Sequence, residues 1–230
     1  MSLLSETSLH KIAIKKLGRI SYTDALQFQE EAIHLRAEDK IEDTIFILEH
    51  NPVYTGGKDS AENLRNLSLP APYHATGRGG KITFHGPGQL VAYFIFKINL
   101  NELSSFVSFL EDLCILSLQE HNIPAYSRKN ESDSYGKRIR GSWVNMAGKK
   151  WKIASQGIET KTINGKVITM HGLAINVSTD LSYFNYISPC GFNSKIMTSI
   201  SEYKGEPIDL ANFELTFINL LSEEGLKWRS

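Results

Sequence analysis

The sequence predicts a mixed α+β fold in which a mostly antiparallel sheet is flanked by helices. Compact apolar runs rich in β-branched and aromatic residues, such as "DTIFILEH" (43–50) and "QLVAYFIFKI" (89–98), are typical of buried strands. Two long segments carry apolar residues at helical spacing. Between residues 141 and 177, short strand-like segments alternate with tight-turn residues, which indicates antiparallel hairpins.

The N-terminal part predicts a strand followed by a helix. The segment "HKIAIKKL" (10–17) has the pattern of a strand, and Ser21 or Thr23 can cap a helix over 22–40. The apolar face of this helix is predicted to consist of four residues at helical spacing: Ala25, Phe28, Ala32 and Leu35.

The middle of the chain predicts the longest helix, over 101–122. Its buried stripe is predicted to contain five residues: Leu103, Phe106, Leu110, Leu113 and Leu116. The polar segment "SRKNESDSYGKRIRG" (127–141) has weak patterning and predicts a mobile loop.

The C-terminal part predicts two hairpins and a last helix. "SWVNM" and "WKIASQGIET" flank "AGKK" in the first hairpin, and Asn164-Gly165 forms a favoured two-residue turn in the second. A helix over 210–221 follows Pro207. No tandem repeat or linker interrupts the chain, so we expect one continuous domain over residues 1–230.

Composition excludes several function classes. The 25 Lys and Arg balance the 25 Asp and Glu, so no broad nucleic-acid surface is indicated. No apolar run approaches the roughly 20 residues that span a bilayer, and the N-terminus lacks an export or transit pattern. We therefore expect a cytoplasmic protein that binds neither membrane nor nucleic acid, with Cys114 and Cys190 as free thiols.

The glycine-rich stretch "RGGKITFHGPGQLVAYFIFKI" (78–98) has several interpretations. It completes neither a P-loop nor a dinucleotide fingerprint. Its glycines could form tight turns around a short strand "KITF". They could equally let the backbone approach a ligand closely, so that exposed N–H groups hold an acyl oxygen or a phosphate.

Cys190 is the candidate nucleophile. Pro189 and Gly191 flank it, so its thiol is predicted to lie on a turn, whereas Cys114 lies in a helical stripe typical of a core residue. A reactive thiol needs a base or a cation beside it. Lys152 alternates within an apolar strand pattern and is a candidate for that role, although an outward-facing strand lysine is the alternative.

Two further reactive arrangements receive less support. His85, His171 and Cys190 could form a three-ligand metal site, but the close ligand pairs of common zinc motifs are absent. A serine hydrolase is disfavoured because no G-x-S-x-G elbow is present.

Several segments together carry a resemblance to a known family. "LEHNPVYTGGK", "RGGKITFHGPGQLVAYFIFKI", "WKIASQGI", "HGLAINV" and "SPCGF", in this order, resemble the octanoyl-acyl carrier protein:protein N-octanoyltransferases, the lipoyl(octanoyl) transferases of lipoate biosynthesis. The resemblance covers about residues 45 to 200. It implies a fold similar to that of the lipoate and biotin protein ligase catalytic domains.

The resemblance also implies the site residues. Cys190 matches the family's nucleophile and Lys152 its acid/base lysine. The substrate-binding positions carried over are Arg78, Gly79, Gly80, Lys81, Ile82, Thr83, Phe84, His85, Gly86, Gln156, Gly157, Ile158, His171, Gly172, Leu173 and Ala174. Phe84, the string "RGSWV" and Gln156 depart from what the family pattern leads us to expect.

The implied reaction moves an octanoyl group through a thioester on the cysteine. The donor is octanoyl-acyl carrier protein, and the acceptors are lipoyl domains of 2-oxoacid dehydrogenases and the glycine cleavage H protein. The resemblance implies no metal, no other cofactor and no ATP, and we expect a monomer. The basic segments "SRK", "KRIR" and "GKKWK" could dock the acidic partners or could be solvated loop charge.

Two other functions remain open from the residues. An ATP-dependent lipoate protein ligase would share the architecture and a lysine, but it needs no cysteine and its glycine loop has a different pattern. A non-catalytic acyl- or cofactor-binding protein would explain the glycine loop but not Cys190 and Lys152 together.

Overall fold

One large mixed sheet organises the chain, and a computed structural model describes it for residues 12–60, 68–133, 136, 138–188 and 196–224. The strands are β1 (Ile12–Ile20), β2 (Asp43–His50), β3 (Val53–Gly56), β4 (Tyr73–Ala75), β5 (Thr83–His85), β6 (Gln89–Ile95), β7 (Lys97–Ile98), β8 (Tyr126–Ser127), β9 (Ser142–Met146), β10 (Lys149–Ile163) and β11 (Lys166–Asn176). The helices are α1 (Tyr22–Ala37), α2 (Leu103–Glu120), α3 (Ile200–Lys204) and α4 (Leu210–Glu224).

The large sheet has the strand order β1-β2-β6-β11-β10-β9-β8, and β7 pairs with β11. Its β1–β2 pair is parallel, and the pairs that follow along the order are antiparallel. A smaller sheet has the order β4-β3-β5. The predicted fold class, a mostly antiparallel mixed sheet flanked by helices, is confirmed.

Strand β6 explains why the predicted apolar run has no alternation. Its side chains point alternately to the two faces of the sheet, and both faces are covered. Leu90, Ala92 and Phe94 join the core under α2 and α4, whereas Val91 and Tyr93 join the core under α1. A central strand buried on both sides is therefore apolar at every position after Gln89, whose side chain is buried with hydrogen-bonded partners.

Helix α1 begins where its cap predicts, but its buried face is rotated from the predicted one. Ser21 is the N-cap and accepts a hydrogen bond from the Asp24 N–H at 3.1 Å. Phe28, predicted to be in the core, is 43% exposed, whereas the polar residues Gln29 and Arg36 are buried. Hydrophobic periodicity missed this face because two of its members are polar.

Each of those two polar residues has a partner outside the helix. The Gln29 side-chain oxygen accepts the main-chain N–H of His171 at 2.8 Å. The Arg36 guanidinium donates to the Asp43 carboxylate at 2.7 Å, and this pair is buried. These hydrogen bonds offset part of the cost of burying the two polar groups.

Helix α2 confirms most of its predicted stripe. Phe106, Leu110 and Leu113 are buried, and Leu103 packs against the same core. Leu116, however, is 39% exposed, so its predicted place in the stripe is wrong. Ser117 is buried beside it, because its hydroxyl donates to the Leu113 carbonyl at 2.8 Å and leaves no unpaired polar group.

Both predicted hairpins are confirmed. β9 and β10 are joined through Ala147-Gly148, and β10 and β11 through Asn164-Gly165. All four turn residues have positive φ, as the favoured two-residue hairpin turns require.

Part of the predicted mobile loop 127–141 lies outside the described residues, namely positions 134, 135 and 137. In the described part, Ser132 pairs with Arg138 in an antiparallel bridge, and Arg128 forms an ion pair with Glu131 at 2.6 Å.

The buried Arg36–Asp43 pair predicts a large stability effect. Asp43→Ala leaves the Arg36 charge buried with only its partner Asp39, which lies at the surface. We expect the free energy of unfolding, measured by urea denaturation, to fall by about 3 kcal/mol. The control is Glu38→Ala, which breaks an exposed ion pair with Lys40. A loss for Asp43→Ala no larger than that of the control would contradict the prediction.

Candidate active site

The glycine-rich loop lies directly on strand β10. The N–H of Gly79 donates to the carbonyl of Ile158 at 3.1 Å. Gly157 allows this contact, because a Cβ there would lie 3.0 Å from the Gly79 oxygen and 3.1 Å from the Arg78 side chain. The bare backbone at this point serves close packing of loop against strand.

Arg78 anchors the loop from within the protein. It is buried, and its guanidinium donates to the carbonyl oxygen of Thr55 at 2.8 Å and to its hydroxyl oxygen at 3.0 Å. It also donates to the Gly79 carbonyl at 3.1 Å. The small sheet that carries Thr55 is thereby connected to the loop that covers β10.

His85 is buried and fully engaged. Its Nδ1 lies 2.7 Å from the Gln89 side-chain oxygen, and its Nε2 lies 3.2 Å from the Thr55 hydroxyl. Burial lowers the pKa of His85 to about 3, so the imidazole stays neutral. This histidine is therefore held for structural orientation of the loop.

His171 adopts an unusual backbone conformation in the middle of β11. Its φ is +62°, a region that costs energy for a residue with a side chain. The N–H contact with Gln29 fixes that backbone, and the side-chain Nε2 lies 3.4 Å from the Glu159 carboxylate. Burial lowers the pKa of His171, and hydrogen bonding to this imidazole lowers the pKa of Glu159 to about 2.

These side chains surround an inner cavity of about 500 Å³, its open mouth included. Its lining contains predicted residues from all three matched segments: Arg78, Gly80, Lys81, Thr83, His85, Gln156, Gly157, His171, Gly172, Leu173 and Ala174. Four further lining residues were missed from the sequence: Tyr22, Thr55, Tyr93 and Ser155. Burial raises the pKa of Tyr22 to about 12, so its hydroxyl stays neutral.

A larger cavity of about 1350 Å³, open to solvent, lies on the other side of the loop. It shares Gly80, Lys81, Gln156 and Gly157 with the inner cavity, so the two cavities adjoin along these residues. The predicted residues Gly79, Ile158 and Lys152 line it. Basic side chains also line it: Lys58, Arg138 and Arg140.

Lys152 is only 3% exposed, so the interpretation as an outward-facing strand lysine is wrong. Its Nζ lies 5.9 Å from the centroid of the Trp143 ring, an arrangement that favours a cation. Gly141 gives the side chain room, because a Cβ there would lie 2.6 Å from the Lys152 Cε and 3.2 Å from its Nζ. The lysine is thus fitted to one position.

The main chain of Lys152 is tied to the segment that follows Cys190. Met197 pairs with Lys152 in a parallel bridge, and the Thr198 N–H donates to the Lys152 carbonyl at 3.0 Å. Cys190 itself lies outside the described residues, which resume at Ile196. The proximity of its thiol to Lys152 therefore stays a prediction.

Three predicted binding residues line neither cavity. Ile82 and Phe84 lie in the core of the small sheet, where the Phe84 ring stacks on Tyr183 with centroids 4.3 Å apart. A Cβ at Gly86 would lie 2.5 Å from the Phe84 ring. These residues support the loop from beneath.

The second cysteine has the core role that its position predicted. Cys114 is buried in the cluster under α2, and burial raises the pKa of its thiol to about 12. This thiol therefore stays protonated and is a poor nucleophile.

Within the described ranges, no three His, Cys, Asp or Glu side chains lie close enough together to hold a metal ion. Across the same part of the chain, no helix combines the length and apolar character needed to cross a lipid bilayer.

Comparison with known families agrees with this geometry. Residues 21–222 match the model of the lipoyl protein ligase A/B catalytic domain. The chain belongs to this family. The octanoyltransferase of Desulforamulus reducens is 34% identical over 87% of this chain and 85% of its own length. The octanoyltransferase of Vibrio vulnificus is 35% identical, over 95% of each chain. The predicted resemblance is thereby confirmed, and the chain is a transferase of this family.

Solved structures support the same fold. A Thermoplasma acidophilum protein with bound lipoic acid has a TM-score of 0.68 and 15% identity, covering 93% of this chain and 86% of its own. The bipartite lipoate protein ligase of Thermoplasma acidophilum, from a study that included its E2 lipoyl domain, has a TM-score of 0.63 and 13% identity, covering 93% and 83%. The expected similarity to the lipoate ligase catalytic domain is confirmed at the level of fold.

The buried histidines predict a loss of stability in mild acid. Burial lowers the pKa of His85 to about 3 and that of His50 to about 4. Both are neutral in the folded protein, whereas the unfolded chain protonates them below about pH 6.5. Stability is therefore full above pH 6.5 and falls as the pH drops toward the folded pKa values, by about 2 kcal/mol for each histidine at pH 5.

Thermal unfolding between pH 7.5 and pH 5 checks this expectation. Between pH 7.5 and pH 5, the thermal midpoint of His50→Gln should fall less than that of the wild type. The midpoint of His34→Gln, at an exposed position on α1, should fall as much as that of the wild type. A midpoint that does not change over this range would contradict the assignment.

Proposed function

We propose that the chain, as one catalytic domain over residues 1–230, transfers an octanoyl group from acyl carrier protein to a lysine of lipoyl domains in lipoate biosynthesis. The intermediate is a thioester on Cys190, and Lys152 is the acid/base partner. The observation that carries the proposal is the buried Lys152 at a large cavity, with its main chain bonded to the residues that follow the Cys190 segment.

The position of Lys152 suits the first half-reaction. An ammonium beside a thiol favours the thiolate, which is the nucleophilic form. The thiolate attacks the carbonyl carbon of the donor thioester, and the donor's thiolate leaves. Lys152 gives its proton to that leaving sulfur and becomes a neutral amine. The acyl group now forms a thioester with Cys190.

The same lysine suits the second half-reaction. The ε-amine of the acceptor lysine attacks the acyl carbon, and the neutral Lys152 takes a proton from that amine. Cys190 departs as the thiolate, the new amide remains on the acceptor, and Lys152 is again an ammonium. Because a thioester is converted to a more stable amide, the transfer needs no ATP.

The glycine-rich loop is suited to holding the acyl thioester between the two cavities. Two of the residues that line both cavities, Gly80 (φ +87°) and Gly157, have no side chain that could fill the space between the cavities. The substrate-binding assignment of the loop, of the stretch 156–158 and of the stretch 171–174 is supported by their presence on these cavities.

The basic side chains of the larger cavity suit acidic partners. Lys58, Lys81, Arg138 and Arg140 line the cavity that contains Lys152, and these basic residues outnumber the acidic Asp59, Asp133 and Glu159 of the same lining. Positive charge at the mouth of a cleft speeds encounter with an acidic carrier protein or lipoyl domain. We propose octanoyl-acyl carrier protein as donor, lipoyl domains of 2-oxoacid dehydrogenases and the glycine cleavage H protein as acceptors, and a cytoplasmic monomer as the working form.

Acyl-enzyme formation tests the nucleophile. Incubation with octanoyl-acyl carrier protein should add one octanoyl mass to the intact protein, and Cys190→Ser should prevent this, because an alcohol is a far weaker nucleophile than a thiolate. Intact-protein mass spectrometry measures both. The matched control is Cys114→Ala, which should still form the adduct because that thiol is buried and protonated. An adduct that persists in Cys190→Ser would refute the assignment.

Removal of the acid/base group tests Lys152. Lys152→Met should lower the turnover number by 10²–10⁴-fold, the range typical of a positioned acid/base. Lys150→Met is the matched control: it lies in the same strand but is exposed and pairs with Glu131. Steady-state transfer to a lipoyl domain measures both variants. Equal activity of the two variants would exclude the proposed role of Lys152.

A further inference from the structure

A chain of buried hydrogen bonds connects the glycine-rich loop to the strand of Lys152. His85 Nδ1 lies 2.7 Å from the Gln89 oxygen, and the Gln89 nitrogen lies 2.8 Å from the Asn176 oxygen. The Asn176 nitrogen donates to the Thr198 carbonyl at 2.9 Å. The Thr198 N–H then donates to the Lys152 carbonyl at 3.0 Å. The chain thus spans from the loop to the main chain of the proposed acid/base residue.

The orientation of each amide side chain in this chain of hydrogen bonds follows from the main-chain carbonyl that it contacts. The carbonyl oxygens of Thr198 and Phe84 can only accept, so the Asn176 and Gln89 nitrogens face them. The Gln89 oxygen must then accept, which places the proton of His85 on Nδ1. His85 Nε2 is left as an acceptor for the Thr55 hydroxyl, whose oxygen in turn accepts from Arg78.

The middle members of this chain lie away from both cavities. Gln89, Asn176 and Thr198 are buried to 2%, 1% and 0% exposure, and none of them lines either cavity. The strand bearing Asn176 pairs with the strand bearing Gln89, residue opposite residue. Any effect of these side chains on the reaction therefore acts through the groups that they hold.

We propose that Asn176 is a positioning residue for Lys152, an inference that rests on the proposed function. Its side chain fixes the Thr198 peptide, and this peptide fixes the Lys152 main chain from the side opposite to β9.

The energetic argument favours a strong effect. Truncation at Asn176 leaves the Thr198 carbonyl and a Gln89 N–H buried without their partners, and such groups move to find new ones. Movement of the Thr198 peptide shifts Lys152, whose side chain has little free space beside Gly141. Displacement of a catalytic group by about 1 Å can lower the reaction rate by 10²-fold. Binding of the donor should change much less, because Asn176 lines neither cavity.

The test compares Asn176→Ala with Thr169→Val. Thr169 lies in the same strand, is fully buried, and also bonds main-chain groups, donating to the Phe94 carbonyl at 2.6 Å and accepting the Phe96 N–H at 3.0 Å. These side-chain bonds lead to the main chain of residues 94 and 96 and not to Lys152. Rates per folded enzyme are measured by single-turnover acylation with octanoyl-acyl carrier protein, and the folded fraction by circular dichroism.

We expect Asn176→Ala to lower the acylation rate constant by 10- to 100-fold. The donor concentration that gives half-saturation should change by less than threefold. The acylation rate constant of Thr169→Val should stay within twofold of the wild-type value, even if its thermal midpoint falls as much as that of Asn176→Ala. If both variants acylate at the wild-type rate per folded molecule, Asn176 is only a structural residue and the inference is wrong.

A second variant provides a rescue. In Asn176→Asp, a protonated carboxyl can donate to Thr198 and accept from Gln89 as the amide does, whereas an ionised one cannot donate. The nearest titratable groups along the chain of bonds are His85, beyond Gln89, and Glu202, which accepts from the Thr198 hydroxyl at 2.8 Å. The rate relative to wild type should therefore rise as the pH falls from 8 to 5.5, whereas that of Asn176→Ala stays constant. A constant ratio for both variants would overturn the proposal.

These outcomes are distinct from failure of the proposed function. If the wild-type protein forms no acyl-enzyme with the donor, the function is wrong and Asn176 has no acylation to position. If the wild type is acylated normally, the comparison of Asn176 with Thr169 decides the inference alone.

Discussion

The burial of one ammonium group within a sheet is the constraint on which the rest of the site depends. An isolated charge in such a position would cost several kcal/mol. Here the Trp143 ring, the neighbouring cavity and the bare Cα of Gly141 together accommodate Lys152. The contact with the Thr198 peptide fixes the strand that carries it. This fit holds the lysine side chain in one place beside the larger cavity.

Local signals explain how much of the fold could be predicted. Strand β2 was found with its full extent, and the Asn164-Gly165 turn was placed correctly, because a buried apolar run and a two-residue turn are properties of neighbouring residues. The first hairpin was also found, but its turn is Ala147-Gly148 alone, and Lys149 and Lys150 of the predicted connection belong to β10. The buried face of α1 was predicted wrongly, because its polar residues Gln29 and Arg36 are buried against partners at positions 171 and 43. No periodicity in a helix can reveal a partner on a distant strand.

The site shows the same division. The glycine loop and the residues around 156 and 172 were found through the resemblance of whole segments, and most of them line the two cavities. Tyr22 was missed because it lies outside the matching segments. Thr55 and Tyr93 lie within two of those segments but look like ordinary buried strand residues, so nothing in the sequence marked them as cavity lining. The bonds from Gln89 through Asn176 require the pairing of β6 with β11, which only the folded chain shows. The place of Cys190 stays a prediction.

The residues shared by the two cavities have a consequence for protein engineering. Gln156 and Gly157 line both cavities, and they belong to the same strand as Lys152. Enlarging the inner cavity by changes in that strand would therefore also disturb the position of Lys152. Tyr22 borders the same space from helix α1, in a layer that does not hold the lysine. A redesign for bulkier acyl donors should therefore substitute Tyr22 on helix α1 and leave strand β10 unchanged.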